Sequence, residues 1–110
     1  MEAFPMAAPA VALSEYESRV LVHFDIPATQ ESIRRRVDRF LYGGRETKDV
    51  GDRRRAYRYP GLLERTGGRH YGQSVVILSP EAADEAIAFF RALKVSCQRI
   101  DILCQTGSDR

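Results

Sequence analysis

Between Arg19 and Ile26 the chain reads RVLVHFDI, and the stretch alternates. Val20, Val22, Phe24 and Ile26 fall on one side of an extended segment and are all apolar; Leu21, His23 and Asp25 fall on the other. Such a strand must lay one face on a core and leave the other to solvent or a partner. Pro27 stops it, because proline cannot donate to a ladder. The chain has 110 residues, room for one domain, and 44% of them are hydrophobic. A core of that size needs neither disulfide nor metal to fold. No apolar run approaches the roughly 18 residues of a membrane span.

The remaining elements follow from periodicity and punctuation. A helix is expected from Thr29 as N-cap to Gly43-Gly44, with Ile33, Val37, Phe40 and Leu41 as its apolar stripe and Arg34, Arg35, Arg36 and Arg39 outside it. Glu46–Val50 and Arg53–Tyr59 flank Gly51-Asp52, a two-residue signal that can close a hairpin. Pro60-Gly61 and Thr66-Gly67-Gly68 mark turns around Leu62-Leu63. The stretch TGGRHYG, residues 66–72, reads as a loop; it lacks the spacing of a phosphate-binding loop and precedes a strand instead of a helix. Ser74–Leu78 is a strand, and Ser79-Pro80-Glu81 opens a second helix with Ala83, Ala86, Ile87, Phe90 and Leu93 inward. After a turn near Val95, Gln98–Leu103 is the last strand.

Strand, helix, strand, strand, helix, strand, with an extra piece near 45–50, predicts a ferredoxin-like α+β fold, βαββαβ. Its antiparallel sheet would carry two helices on one face, with an extra hairpin or loop between the first helix and the SVVIL strand. Leu21, His23, Asp25 and one side of SVVIL would then lie on the open face, an apolar surface that favours a homodimer. Residues 15–105 make the domain, with a flexible tail over 1–14 and a short one over 106–110.

The formal charge of +2, from 17 basic and 15 acidic residues, hides its distribution. Between Arg34 and Arg69 twelve basic residues stand against five acidic ones, a local charge of +7, which leaves −5 for the rest. The basic residues are overwhelmingly Arg, whose planar fork suits phosphate oxygens and stacks on flat rings. In Arg53-Arg54-Arg55-Ala56-Tyr57-Arg58-Tyr59, an extended backbone puts Tyr57, Tyr59 and Arg55 on one face and Arg54 and Arg58 on the other. Aromatic rings offer bases a stacking surface while Arg holds the backbone; the same tyrosines otherwise cover a core. A nucleic-acid partner, DNA or RNA, is therefore expected at Arg34, Arg35, Arg36, Arg39, Arg53, Arg54, Arg55, Tyr57, Arg58, Tyr59, Arg69 and His70. A protein partner with an acidic surface is the alternative.

Asp25 ends the first strand, where carboxylates commonly meet ligands. One carboxylate makes a poor magnesium site, but two copies facing across a two-fold axis would share an ion through water; the other reading is a cap on the following turn. His23 shares its face, as a general base or as a hydrogen-bonded interface residue. His70, beside Tyr71, reads as a phosphate contact or as a solvated residue. Cys97 and Cys104 flank one strand at roughly 23 Å, too far for a bridge, and no Cys/His spacing suggests zinc. Met1–Leu13 is Ala- and Pro-rich, with Glu2 where a secretory signal would be basic, so a cytoplasmic protein is expected.

Three stretches carry a family resemblance: VLVHFDI ending in Asp25; IRRRVDRFL running into YGG; and GQSVVILSPEAADEAIAFFRAL followed by RIDIL. Over about 60 residues the chain resembles the small CRISPR-associated ferredoxin-fold adaptation proteins and related endoribonucleases. It also resembles the related C-terminal domain of the phenylacetate-pathway repressors, whose F-D-I-P pattern is present from Phe24 to Pro27. The resemblance implies a homodimer with a shared cleft and Asp25 as a Mg2+ or Mn2+ ligand. It implies metal-dependent phosphodiester cleavage or a purely architectural grip on DNA. The chain departs from that pattern over residues 45–71, an insertion that carries much of the basic charge.

Overall fold

Residues 19–25 of the alternating stretch lie in the first strand of a computed structural model that describes residues 15–106. Of the tails expected over 1–14 and 106–110, residues 1–14 and 107–110 lie outside the described residues; Thr106 is tied back, its backbone N–H and hydroxyl both donating to the Glu15 carbonyl at 2.7 and 2.8 Å. The elements run β1 (Tyr16–Asp25), α1 (Glu31–Tyr42), β2 (Gly43–Val50), β3 (Arg53–Pro60), α2 (Leu62–Thr66), β4 (Arg69–Gly72), β5 (Val75–Leu78), α3 (Pro80–Ala92) and β6 (Ser96–Gln105). They form an α+β structure with a four-stranded antiparallel sheet, order β4-β5-β1-β6, and a separate two-stranded sheet, β2-β3. This arrangement is compatible with a ferredoxin-like α+β fold.

The core sits between one face of the large sheet and the helices. Val20, Val22, Phe24 and Ile26 are buried against Val37 and Leu41 of α1, Leu62 and Leu63 of α2, and Ala82, Ala83, Ala86 and Phe90 of α3. Phe90 is fully buried, its ring 4.9 Å from that of Phe24, and Phe40 stacks on Phe89 at 4.0 Å. Ser79 caps α3, its hydroxyl accepting from the Ala82 N–H at 3.2 Å, with Pro80 in the first turn.

The structure departs from the sequence-based expectations in four places. Arg53–Pro60 is not a strand of the large sheet. None of its residues is buried, so it does not lie under the helices, and among the described residues it pairs with Gly43–Val50 alone. The sheet position is taken by β4, inside the segment read as a loop; four residues beside a double glycine carry too little pattern to announce a strand. Leu62-Leu63 opens a third, short helix, α2, because both leucines plug the core. Finally, α1 starts at Glu31 after Gln30, without a side-chain cap; Thr29 is inside the turn closed by the Gln30 N–H to the Pro27 carbonyl, 2.9 Å.

The opposite face of the large sheet is open. One cross-strand row there reads Arg69, Ile77, Leu21, Ile100, and the next reads Val75, His23, Gln98. Cys97 and Cys104 both lie on β6, on opposite faces, as free thiols. Among the described residues no helix is long and apolar enough to cross a membrane.

Candidate nucleic-acid interface

The β2–β3 ribbon is a hairpin in uninterrupted register from Gly43↔Pro60 to Val50↔Arg53. Gly51 has φ 63°, the first-position glycine that suits a two-residue turn whose twist matches its strands. Register assigns every side chain to a face. Arg53, Arg55, Tyr57 and Tyr59 share one face with Lys48, Glu46 and Gly44; Arg54 and Arg58 share the other with Asp49 and Arg45.

The two faces differ in how their charge is spent. Arg54 pairs with Asp49 at 3.5 Å, and Arg58 with Glu64 of α2 at 2.6 Å. Arg53 and Arg55 form no ion pair among the described residues. Lys48 lies 5.8 Å from the Tyr57 ring centroid and 3.8 Å from Glu46, and Tyr59 is 41% exposed. The Tyr-bearing face is therefore the one with charge and ring surface left to offer a ligand.

The ribbon's root fixes how it meets the body. Gly43 has φ 80°, and a Cβ there would run into the Tyr59 carbonyl and the Gly61 nitrogen; one at Gly61 would run into the Leu41 carbonyl. Only backbone fits between these segments, so the ribbon leaves α1 and returns to α2 at one tight crossing. At Gly44 the space a Cβ would point into is taken by Arg39, whose Nε is 3.4 Å from that position. Since Gly44 shares the face of Tyr57 and Tyr59, Arg39 joins that face to α1.

A groove of about 710 Å³ opens at this junction, lined by Ser32, Arg35, Arg36, Asp38, Arg39 and Tyr42 of α1 and by Gly43, Gly44 and Arg45 of the ribbon. Arg35, Arg36 and Arg39 are exposed and form no ion pair among the described residues. Tyr42, 45% exposed, meets the His70 ring edge-on at 5.9 Å. Burial, and secondly the Asp38 carboxylate, push its phenol above the ordinary tyrosine value.

The expected residues thus separate. Arg35, Arg36 and Arg39 line the groove, Arg53, Arg55, Tyr57 and Tyr59 share the ribbon face that leads away from it, and His70 meets Tyr42 at its edge. Arg34 is half-buried and donates to the Ile26 carbonyl at 3.3 Å, a structural use at the far end of α1. Arg69 lies on the open sheet face opposite Ile77, away from the groove. Tyr42, Arg45 and Lys48 were missed, although Tyr42 follows Arg39 by one helical turn and Lys48 becomes significant only once the register sets it across from Arg55.

Asp25 and His23 are exposed on the open face, on the side of the sheet away from the helices. Neither side chain makes a hydrogen bond or ion pair among the described residues, so Asp25 does not cap the following turn. Among the described residues no three His, Cys, Asp or Glu side chains gather as a metal site.

Compared with protein-family models, curated proteins and solved structures, the chain has no match.

Proposed function

We infer that this chain is a nucleic-acid-binding protein of ferredoxin-like topology that works as a homodimer. The strand order β4-β5-β1-β6, with α1 and α3 as crossovers and the ribbon and α2 inserted between α1 and β4, supports the topology. Incompletely covered Leu21, Ile100 and Leu103 on two adjacent strands support self-association.

One observation carries the binding reading. The guanidinium groups of α1 and of the ribbon's Tyr-bearing face that form no ion pair among the described residues make one surface, joined where Arg39 lies over Gly44. From Tyr59 to Arg53 this face runs roughly 20 Å along the ribbon, enough for several phosphates. A two-stranded ribbon also has the width that a duplex major groove admits. A nuclease at Asp25 draws no such support, since that residue lies on a different face from the basic surface.

The test is anisotropy titration of labelled duplex and single-stranded DNA and RNA across a salt series. Seven cations that are unpaired among the described residues or weakly held, Arg35, Arg36, Arg39, Arg45, Lys48, Arg53 and Arg55, set an upper slope of about −6 in log K against log salt on a duplex. No binding at low salt, or binding insensitive to salt, would overturn the reading. Equal affinity for polyglutamate would redirect it to an acidic protein partner.

A further inference from the structure

The large sheet has two edges of different quality. β4 spans four residues and slips register between His70 and Gly72, a short, bulged edge of the kind that resists pairing. β6 runs ten residues in unbroken register with β1, contains no proline, and among the described residues pairs on that side only. Ile100 and Leu103 on it are 50% and 59% exposed. An edge this long and regular is a template for another extended segment.

We propose that β6 pairs antiparallel with β6 of a second copy about a two-fold axis through Ile100, joining two four-stranded sheets into one. This rests on the homodimer reading above and assigns its interface. In such an isologous pair, residues equidistant from the axis face each other. Ile100 then faces its own copy, and Arg99 faces the partner's Asp101 on both sides of the axis. Moving the axis one residue either way sets Arg99 against Arg99 or Asp101 against Asp101, like charges directly opposed. An axis between residues sets Arg99 opposite an isoleucine and turns the helices of the two copies to opposite faces. The order Arg-Ile-Asp therefore favours this register over its immediate neighbours. Arg99 already donates to Asp84 at 2.8 Å and to Asp101 at 3.2 Å, which holds its guanidinium on the helix side of β6.

Shape selects the same register independently. A groove of about 530 Å³ runs between α3 and β6, with Ile87, Ala88, Val95 and Cys97 in its wall and Arg91 among its polar lining. With the axis at Ile100, Cys97 faces the partner's Leu103. Leu103 shares the helix side of the sheet with Cys97, so an uncovered apolar side chain enters a partly apolar groove, twice per dimer.

Sedimentation equilibrium of the full chain tests this, with Asp101→Arg and Arg99→Asp measured alone and mixed. Alone, each sets like charges opposite each other and is expected to weaken a micromolar dimer by at least about tenfold. Mixed one to one, opposite charges face each other at both positions, and heterodimers are expected at wild-type affinity. Ile100→Cys, oxidised with diamide, is expected to form covalent dimers beyond the background set by Cys97 and Cys104. A wild-type chain that stays monomeric at about 100 µM overturns both this interface and the homodimer reading. A wild-type dimer that both charge variants leave intact, with no added cross-link from Ile100→Cys, overturns the β6 interface alone.

Discussion

Val76, Ile77 and Leu78 of β5 are all buried, whereas β2 and β3 contribute no buried residue between Gly43 and Pro60. Both sheets use the same antiparallel ladder, yet they are held by different forces. The four-stranded sheet is held by apolar area removed from water, at about 25 cal/mol per Å². The ribbon is held by its turn, its ladder and the backbone crossing at Gly43 and Gly61, reinforced by the Arg58–Glu64 pair. The difference teaches where charge can accumulate. A strand that buries neither face can spend both on side chains for a ligand, provided that something else fixes its direction.

Injuring each region in turn and following stability separates the two kinds of support. Phe90→Ala is expected to cost about 3–5 kcal/mol in urea unfolding, because a fully buried ring against Phe24 leaves a cavity. Gly43→Ala is expected to cost about 2 kcal/mol or more, since a Cβ at positive φ meets backbone and not a yielding side chain. If Gly43→Ala leaves both the urea midpoint and nucleic-acid affinity unchanged, the tight crossing does not orient the ribbon.

Replacing Arg53 and Arg55 together by Ala should leave the urea midpoint within about 0.5 kcal/mol of wild type. The same pair should lower nucleic-acid affinity about tenfold and reduce the salt slope by about 2. Arg54→Ala with Arg58→Ala should change the slope less, because those side chains already face Asp49 and Glu64. The reverse ranking would place the ligand on the other face of the ribbon.

The smallest effect concerns Tyr42. Its phenol is raised above the ordinary value of about 10 in the folded chain, so above that pH the unfolded chain releases this proton first. Stability should be indifferent to this group at neutral pH and should decline as pH climbs past about 10 towards the raised value. Tyr42→Phe should flatten that decline, and tyrosinate absorbance should show one tyrosine fewer titrating late. An unchanged alkaline profile would mean that neither burial nor Asp38 acts on this phenol.

Much of the body was legible because burial writes periodicity. Val20, Val22, Phe24 and Ile26 alternate because a strand turns successive side chains to opposite faces, and all four are buried. Ala83, Ala86 and Phe90 recur at helical spacing and are buried too, and the Ser79-Pro80 start stands where expected. The hairpin around Gly51-Asp52 was legible from its turn. What escaped were short pieces whose place depends on distant residues: α2, whose two leucines look like any loop pair, and β4, which is a strand because β5 offers it an edge.

Local pattern in the sequence, then, settled the buried face of the first strand and much of that of the last helix, the hairpin turn at Gly51-Asp52, and the gathering of basic charge between Arg34 and Arg69, since these depend on neighbours within a few residues. Only the tertiary structure decided which of those charges act together. Cross-strand register puts Arg53 and Arg55, which form no ion pair among the described residues, on one face and the ion-paired Arg54 and Arg58 with Arg45 on the other, and the ribbon's root lays Arg39 beside the first. Arg34 and Arg35 are adjacent in the chain, yet one is spent on the Ile26 carbonyl and the other faces the groove. Rotation by about 100° per residue along a helix is what parts them, and no count of charge along the chain contains it.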